Sequence, residues 1–111
     1  MAREGWHIVE EAGVLTVARR WPVRFDVAAS TVLPVVDRLR LARQVRQDVW
    51  RALRRLKGFA PAVRVAPEGG GLAVTAGGQV DGPVARAQAE ARIAGVLADA
   101  GNRERWIRWA S

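Results

Sequence analysis

Apolar residues recur at helical spacing over one long stretch, from Val35 to Gly58. Leu39, Ala42, Val45, Val49, Ala52, Leu53 and Leu56 fall on one side at i, i+3, i+4 separations. Arg40, Arg43, Gln47, Arg51 and Arg54 line the opposite side. The end signals agree with the periodicity. Ser30 and Thr31 cap or turn the chain into the helix, and Pro34 suits its first turn. Asp37 and Lys57 sit near the ends that the macrodipole prefers, while Gly58 and Pro61 stop the helix.

Ahead of that helix the pattern changes to alternation. Trp6 to Val9 and Val14 to Trp21 predict a hairpin turning over Glu10–Gly13, and Val23, Phe25 and Val27 predict a third strand with one wet face. Beyond it, Ala62–Ala66 and Leu72–Ala76 form a second hairpin around the glycine-rich tip PEGGG. Gly77–Gly82 is a connecting loop, Pro83 opens a second helix through about Ala98, and Arg86–Glu90 is an i,i+4 pair on it. Gly101 ends that helix. The tail NRERWIRWA is a short helix capped by Asn102 or an edge strand, and only a helix puts Trp106 and Trp109 on one face.

The order β-β-β-α-β-β-α plus a short C-terminal element predicts an α+β fold: an antiparallel sheet of about five strands with two helices packed on one face. The 111 residues make a single domain, with a loose N-terminus over residues 1–5 and a basic, Trp-rich tail over 102–111. There is no cysteine, hence no disulfide framework, thiolate nucleophile or Cys-ligated zinc. No secretory h-region opens the chain and no window is apolar enough to span a bilayer, so a cytoplasmic location is expected.

Charge sharpens this outline. Between Asp37 and Lys57 there are eight basic and two acidic residues, a net of +6 against +7 for the whole chain. Nearly all the excess sits on one helix. Trp50 lies among Arg43, Arg46, Arg54 and Lys57, and an aromatic ring among guanidinium groups suits base stacking with phosphate contacts alongside. The tail repeats the chemistry, with Arg103, Arg105 and Arg108 interleaved with Trp106 and Trp109. The expected binding surface therefore comprises Arg40, Arg43, Arg46, Trp50, Arg51, Arg54 and Arg55, extended by Arg105, Trp106 and Arg108. Arg19, Arg20 and Arg24 around Trp21 widen it if their strand faces the same way.

The expected function is non-catalytic binding of RNA or DNA with little sequence specificity. The alternatives are an adaptor, in monomeric or homodimeric form, for an acidic protein surface, or a binder of anionic membrane, where Trp and Arg suit the headgroup level. A solvated charged face with Trp50 covering the core edge is the bland alternative to all three.

Other motifs carry less. Gly77-Gly78-Gln79 has the tripeptide of peptide release factors, but Val80-Asp81-Gly82-Pro83 follows in place of their polar continuation. From the end of the basic helix the order helix–VRV–LAV–helix, with Gly71, Gly77, Gly95-Val96 and Asn102, resembles BON-type domains. That resemblance covers about the last two-thirds of the chain and implies phospholipid surfaces and envelope proteins; the family's secretory context is missing here. No lysine and Ser/Thr follow either glycine cluster, so there is no P-loop. His7 is the only histidine, Ser30 and Ser111 the only serines, and the carboxylates lack metal-ligand spacing. No catalytic residue, cofactor or metal is assigned.

Overall fold

The computed structural model describes residues 2, 3 and 5–111, with side chains for 5–111. Six strands form one antiparallel sheet: β1 (Ala2–Arg3), β2 (Trp6–Glu11), β3 (Val14–Ala18), β4 (Val27–Leu33), β5 (Ala60–Glu68) and β6 (Gly71–Gln79). Their spatial order is β1-β2-β3-β5-β6-β4. Helices α1 (Arg38–Leu53) and α2 (Arg86–Ala98) pack on one face of this sheet, and α3 (Ala100–Ala110) rests on both. The architecture is the α+β arrangement expected, with a two-residue strand added and the tail resolved as a helix. Of the loose start expected over residues 1–5, Met1 and Glu4 lie outside the described residues, whereas Ala2 and Arg3 pair with β2.

Alternation builds the core. Leu15 and Val17 of β3, Val63 and Val65 of β5, Leu72, Val74 and Ala76 of β6, and Val27 and Leu33 of β4 all point toward the helices. Leu41, Ala42, Val45, Val49 and Leu53 of α1 meet them, with Ala89, Ile93 and Leu97 of α2. Trp106 of α3 closes the cluster at 0 % exposure. Leu41, outside the i, i+3, i+4 set expected, belongs to the stripe because the apolar face is wider than that template.

Several boundaries differ from the sequence pattern, among them the end of α1, at Leu53 rather than Gly58, and the start of α2, at Arg86 rather than Pro83. Ser30 and Thr31 do not cap α1: they continue β4, paired with Thr75 and Val74 of β6. The alternation of Val27, Ala29, Thr31 and Leu33 against β6 overrides the weak strand preference of Ala and Ser. Residues 23 and 25, expected in the third strand, instead lie in the irregular segment that leads into β4. Helix α1 consequently begins later, where the Asp37 carboxylate accepts the Arg40 N–H at 2.9 Å. Asp99 likewise separates α2 from α3 and accepts the Asn102 N–H at 3.0 Å. Gly101 and Asn102, expected to end and cap helices, are thus inside α3.

Both hairpins turn over two residues. Glu68 pairs with Gly71 across Gly69-Gly70, whose φ values of 53° and 83° fit the type I′ turn that matches strand twist. The glycine-rich tip is therefore a hairpin turn, as expected. Gly77 and Gly78 lie within β6, not in a loop. A Cβ on Gly77 would stand 1.9 Å from the Val27 carbonyl oxygen, and one on Gly78 2.1 Å from that of Ala60. Close approach of β4 and β5 accounts for both glycines, and Gln79 pairs with Ala60 as an ordinary strand residue.

Edge strand β4 is sealed by side chains. Glu90 accepts the Ala28 N–H at 2.9 Å, and Arg103 donates to the Val32 carbonyl at 2.8 Å and to Thr31 Oγ1 at 2.8 Å. Glu90 also pairs with Arg86 at 3.4 Å, the i,i+4 contact expected. The segment entering β4 is pinned by Asp26. Arg24 donates to both of its oxygens, at 3.2 and 2.7 Å, and the Val80 N–H donates at 3.0 Å. Arg24 first, and the Val80 amide second, hold the Asp26 carboxyl below its ordinary value near 3.8.

Gly77→Ala should destabilise by about 1–3 kcal/mol through the clash with Val27. Gly95→Ala, where a Cβ meets nothing within 4 Å on α2, should stabilise by about 0.5–1 kcal/mol; urea unfolding compares them. Because the folded value of Asp26 is depressed, its contribution is present above the unfolded carboxylate value and lost as pH falls below it. The stability gap between wild type and Asp26→Asn should accordingly narrow from about pH 5 to about pH 3, measured by thermal unfolding across that range.

Candidate polyanion-binding face

Helix α1 has two flanks as well as a buried face. Residues two apart on a helix do not share a direction, so Arg46 and Asp48 emerge on opposite sides. The Arg46 side meets β2. Its guanidinium lies 3.9 Å from the centroid of the Trp6 ring, and Arg19 approaches the same ring at 5.8 Å. Glu10, farther along β2, pairs with Arg38 at 3.0 Å. One turn beyond Arg46, Trp50 is 43 % exposed, with the Arg54 guanidinium 5.8 Å from its ring centroid. Trp6, Arg46, Gln47 and Trp50 line an open cleft of about 270 Å³.

The Asp48 side meets α3. Asp48 is 13 % exposed, and its Oδ2 accepts Arg105 at 2.6 and 3.2 Å and the Trp106 Nε1–H at 2.6 Å. Arg51 stands 3.8 Å from Oδ1. Arg105 and Trp106 therefore serve packing, contrary to their expected place on the binding surface. Trp106 is wholly buried because its indole N–H finds a carboxylate partner inside. Arg108 pairs with Glu104 at 3.2 Å on the outer side of α3. Trp109 is 64 % exposed, so the two tail tryptophans occupy different environments although both are on one helix.

Arginines across the molecule divide into two groups. Arg24, Arg38, Arg51, Arg86, Arg105 and Arg108 are ion-paired, and Arg92 and Arg103 donate to backbone carbonyls. Arg40, Arg43, Arg54 and Arg55 are exposed and make no ion pair among the described residues. Arg40 and Arg43, with Arg51, follow the solvent side of α1, and Arg54 and Arg55 lie in the turn directly after it. Of the three arginines around Trp21, Arg19 joins the Trp6 stack, Arg24 is engaged by Asp26, and Arg20 is exposed. Sequence reasoning missed Trp6 as part of this surface, because its partner Arg46 lies far along the chain and no local pattern links them. Gln47 was visible on the outer side but had no aromatic wall to give it a role.

His7 of β2 and Ser30 of β4 are separated by four strand spacings, about 19 Å at roughly 4.8 Å each, too far for proton transfer. His7 instead faces the Trp21 ring, centroids 6.2 Å apart, and the Ser111 hydroxyl donates to the Ile107 carbonyl. Among the described residues no group of three His, Asp or Glu side chains is placed to hold a metal ion, and no helix is long and apolar enough to cross a membrane. No protein-family model, curated protein or solved structure matches this chain.

Asp48→Ala should cost about 1–3 kcal/mol, because it leaves the Trp106 Nε1–H buried and unpaired. Denaturant unfolding measures the loss.

Proposed function

We propose that this protein is a non-catalytic nucleic-acid-binding protein whose contact surface is the solvent side of α1. The carrying observation is the segregation of its arginines. Those elsewhere are largely held by carboxylates and carbonyls, whereas Arg40 and Arg43 on α1 and Arg54 and Arg55 in the turn after it are exposed without ion-pair partners among the described residues. A guanidinium with its donors unspent can give a phosphate a forked pair of charged hydrogen bonds. Several of them along a helix offer spaced contacts to successive phosphates, which supply affinity without reading sequence. Trp50, exposed amid this ridge, gives the face a flat apolar surface that phosphate contacts alone do not need.

Arg105 and Trp106 are excluded from the surface, and Arg108 is on a different helix with its own carboxylate partner. The proposed contact residues are accordingly Arg40, Arg43, Arg51, Arg54 and Arg55, with Arg46 and Trp50 alongside.

Binding to a labelled oligonucleotide should weaken linearly in log salt, by roughly 0.7 per phosphate contacted for a single strand and 0.9 for a duplex. Replacing Arg40, Arg43 and Arg54 together by Glu should abolish binding at moderate salt and leave unfolding little changed, since none of the three is ion-paired among the described residues. Fluorescence anisotropy with a salt series measures both. Unchanged binding by the triple variant would sink the proposal.

A further inference from the structure

We infer that the cleft between Trp6 and Trp50 is a seat for one unpaired nucleobase, so that the surface prefers single-stranded nucleic acid to duplex. The inference rests on the nucleic-acid reading above and adds the strand state and the stacking residue. The argument starts from the walls. Trp50 is 43 % exposed on a helix whose apolar stripe is otherwise buried, so its ring is held outside the core. Trp6, at the start of β2, is half-buried and packs against the core. Its ring carries the Arg46 guanidinium at 3.9 Å. The two walls differ in exposure: Trp6 packs against the core under a planar cation, while Trp50 stands largely in solvent.

A nucleobase complements that arrangement in three ways. It is flat, so it can stack on the Trp50 ring, and its other face can meet the guanidinium plane that Trp6 supports. Its edge carries donors and acceptors that the Gln47 amide can match with either of its own groups, which favours tolerance over strict selection. It is also tethered to phosphates. Arg43, one helical turn from Gln47, and Arg54, 5.8 Å from the Trp50 ring, flank the cleft where the neighbouring phosphates of a strand would pass. A paired base cannot enter, because both its faces are covered by its neighbours in the stack. Duplex would engage the arginines alone.

The test compares a fluorescein-labelled 12-mer of single-stranded RNA with the same sequence as a duplex, in the wild type, Trp50→Ala and Trp50→Phe. Trp50 is exposed, so its replacement does not threaten the core. Stacking predicts that Trp50→Ala weakens single-strand binding roughly five- to hundred-fold, leaves duplex binding within about two-fold, and is largely rescued by Trp50→Phe. The wild-type preference for single strand should disappear with Trp50. Equal loss for both nucleic acids, or no loss for either, while the steep salt dependence persists, would overturn the base seat and leave the arginine surface standing. Absence of binding by the wild type to both would overturn the two readings together.

Discussion

The Asp48 carboxylate is the contact on which the arrangement of the helices depends. It sits on the flank of α1 turned toward α3 and receives the Arg105 guanidinium together with the indole N–H of Trp106. That second bond allows the bulkiest side chain in the core to be buried without an orphaned donor. With Trp106 seated, α3 closes over α1 and α2, and its last turn joins the start of α1 through the Asp37 N–H and the Ala110 carbonyl at 2.9 Å. The carboxylate is therefore a satisfied polar group at the helix junction, and its value lies in the partners it would leave unpaired.

The same contact sorts the positive charge. A chain with seventeen arginines and eleven carboxylates has guanidinium groups in surplus, and the fold spends part of them on its own seams. Arg105 secures α3, Arg103 ties α3 to edge strand β4, Arg38 ties α1 to β2, and Arg24 fixes the segment entering β4. Most of the exposed arginines left over lie along α1 and the turn after it, with Arg20 exposed elsewhere. A uniformly basic protein would attract anions everywhere; this one concentrates unspent donors along a single ridge. Next to that ridge the fold brings Trp6, from the other end of the chain, against Arg46, which turns a stripe of charge into a cleft with aromatic walls.

Much of the architecture was legible because local patterns have local causes. The period of α1, the two hairpins and the glycine tip all follow from side chains that act within a few residues of themselves. The failures came where distant pairing decided. Ser30 and Thr31 look like cap residues until β6 supplies a strand to pair with, and Gly77-Gly78 looks like a loop until β4 and β5 press on either side of it. Asp99, not Asn102, caps α3: the break between α2 and α3 is a single residue, too short to stand out in a periodicity.

The amphipathic period and charge asymmetry of Val35–Gly58 determined from the sequence alone that one helix would bury an apolar stripe and present arginine to solvent. Its composition alone did not distinguish an arginine that binds a partner from one that binds the protein. Arg105 and Arg43 have the same chemistry and similar neighbours in sequence; tertiary structure gave the first a carboxylate at 2.6 Å and the second open solvent. Trp106 and Trp50 were likewise equivalent as residues in basic helices, and packing buried one and exposed the other. The physical reason is that periodicity reports the direction in which a side chain leaves its own helix, whereas burial and charge pairing depend on which other element meets it there.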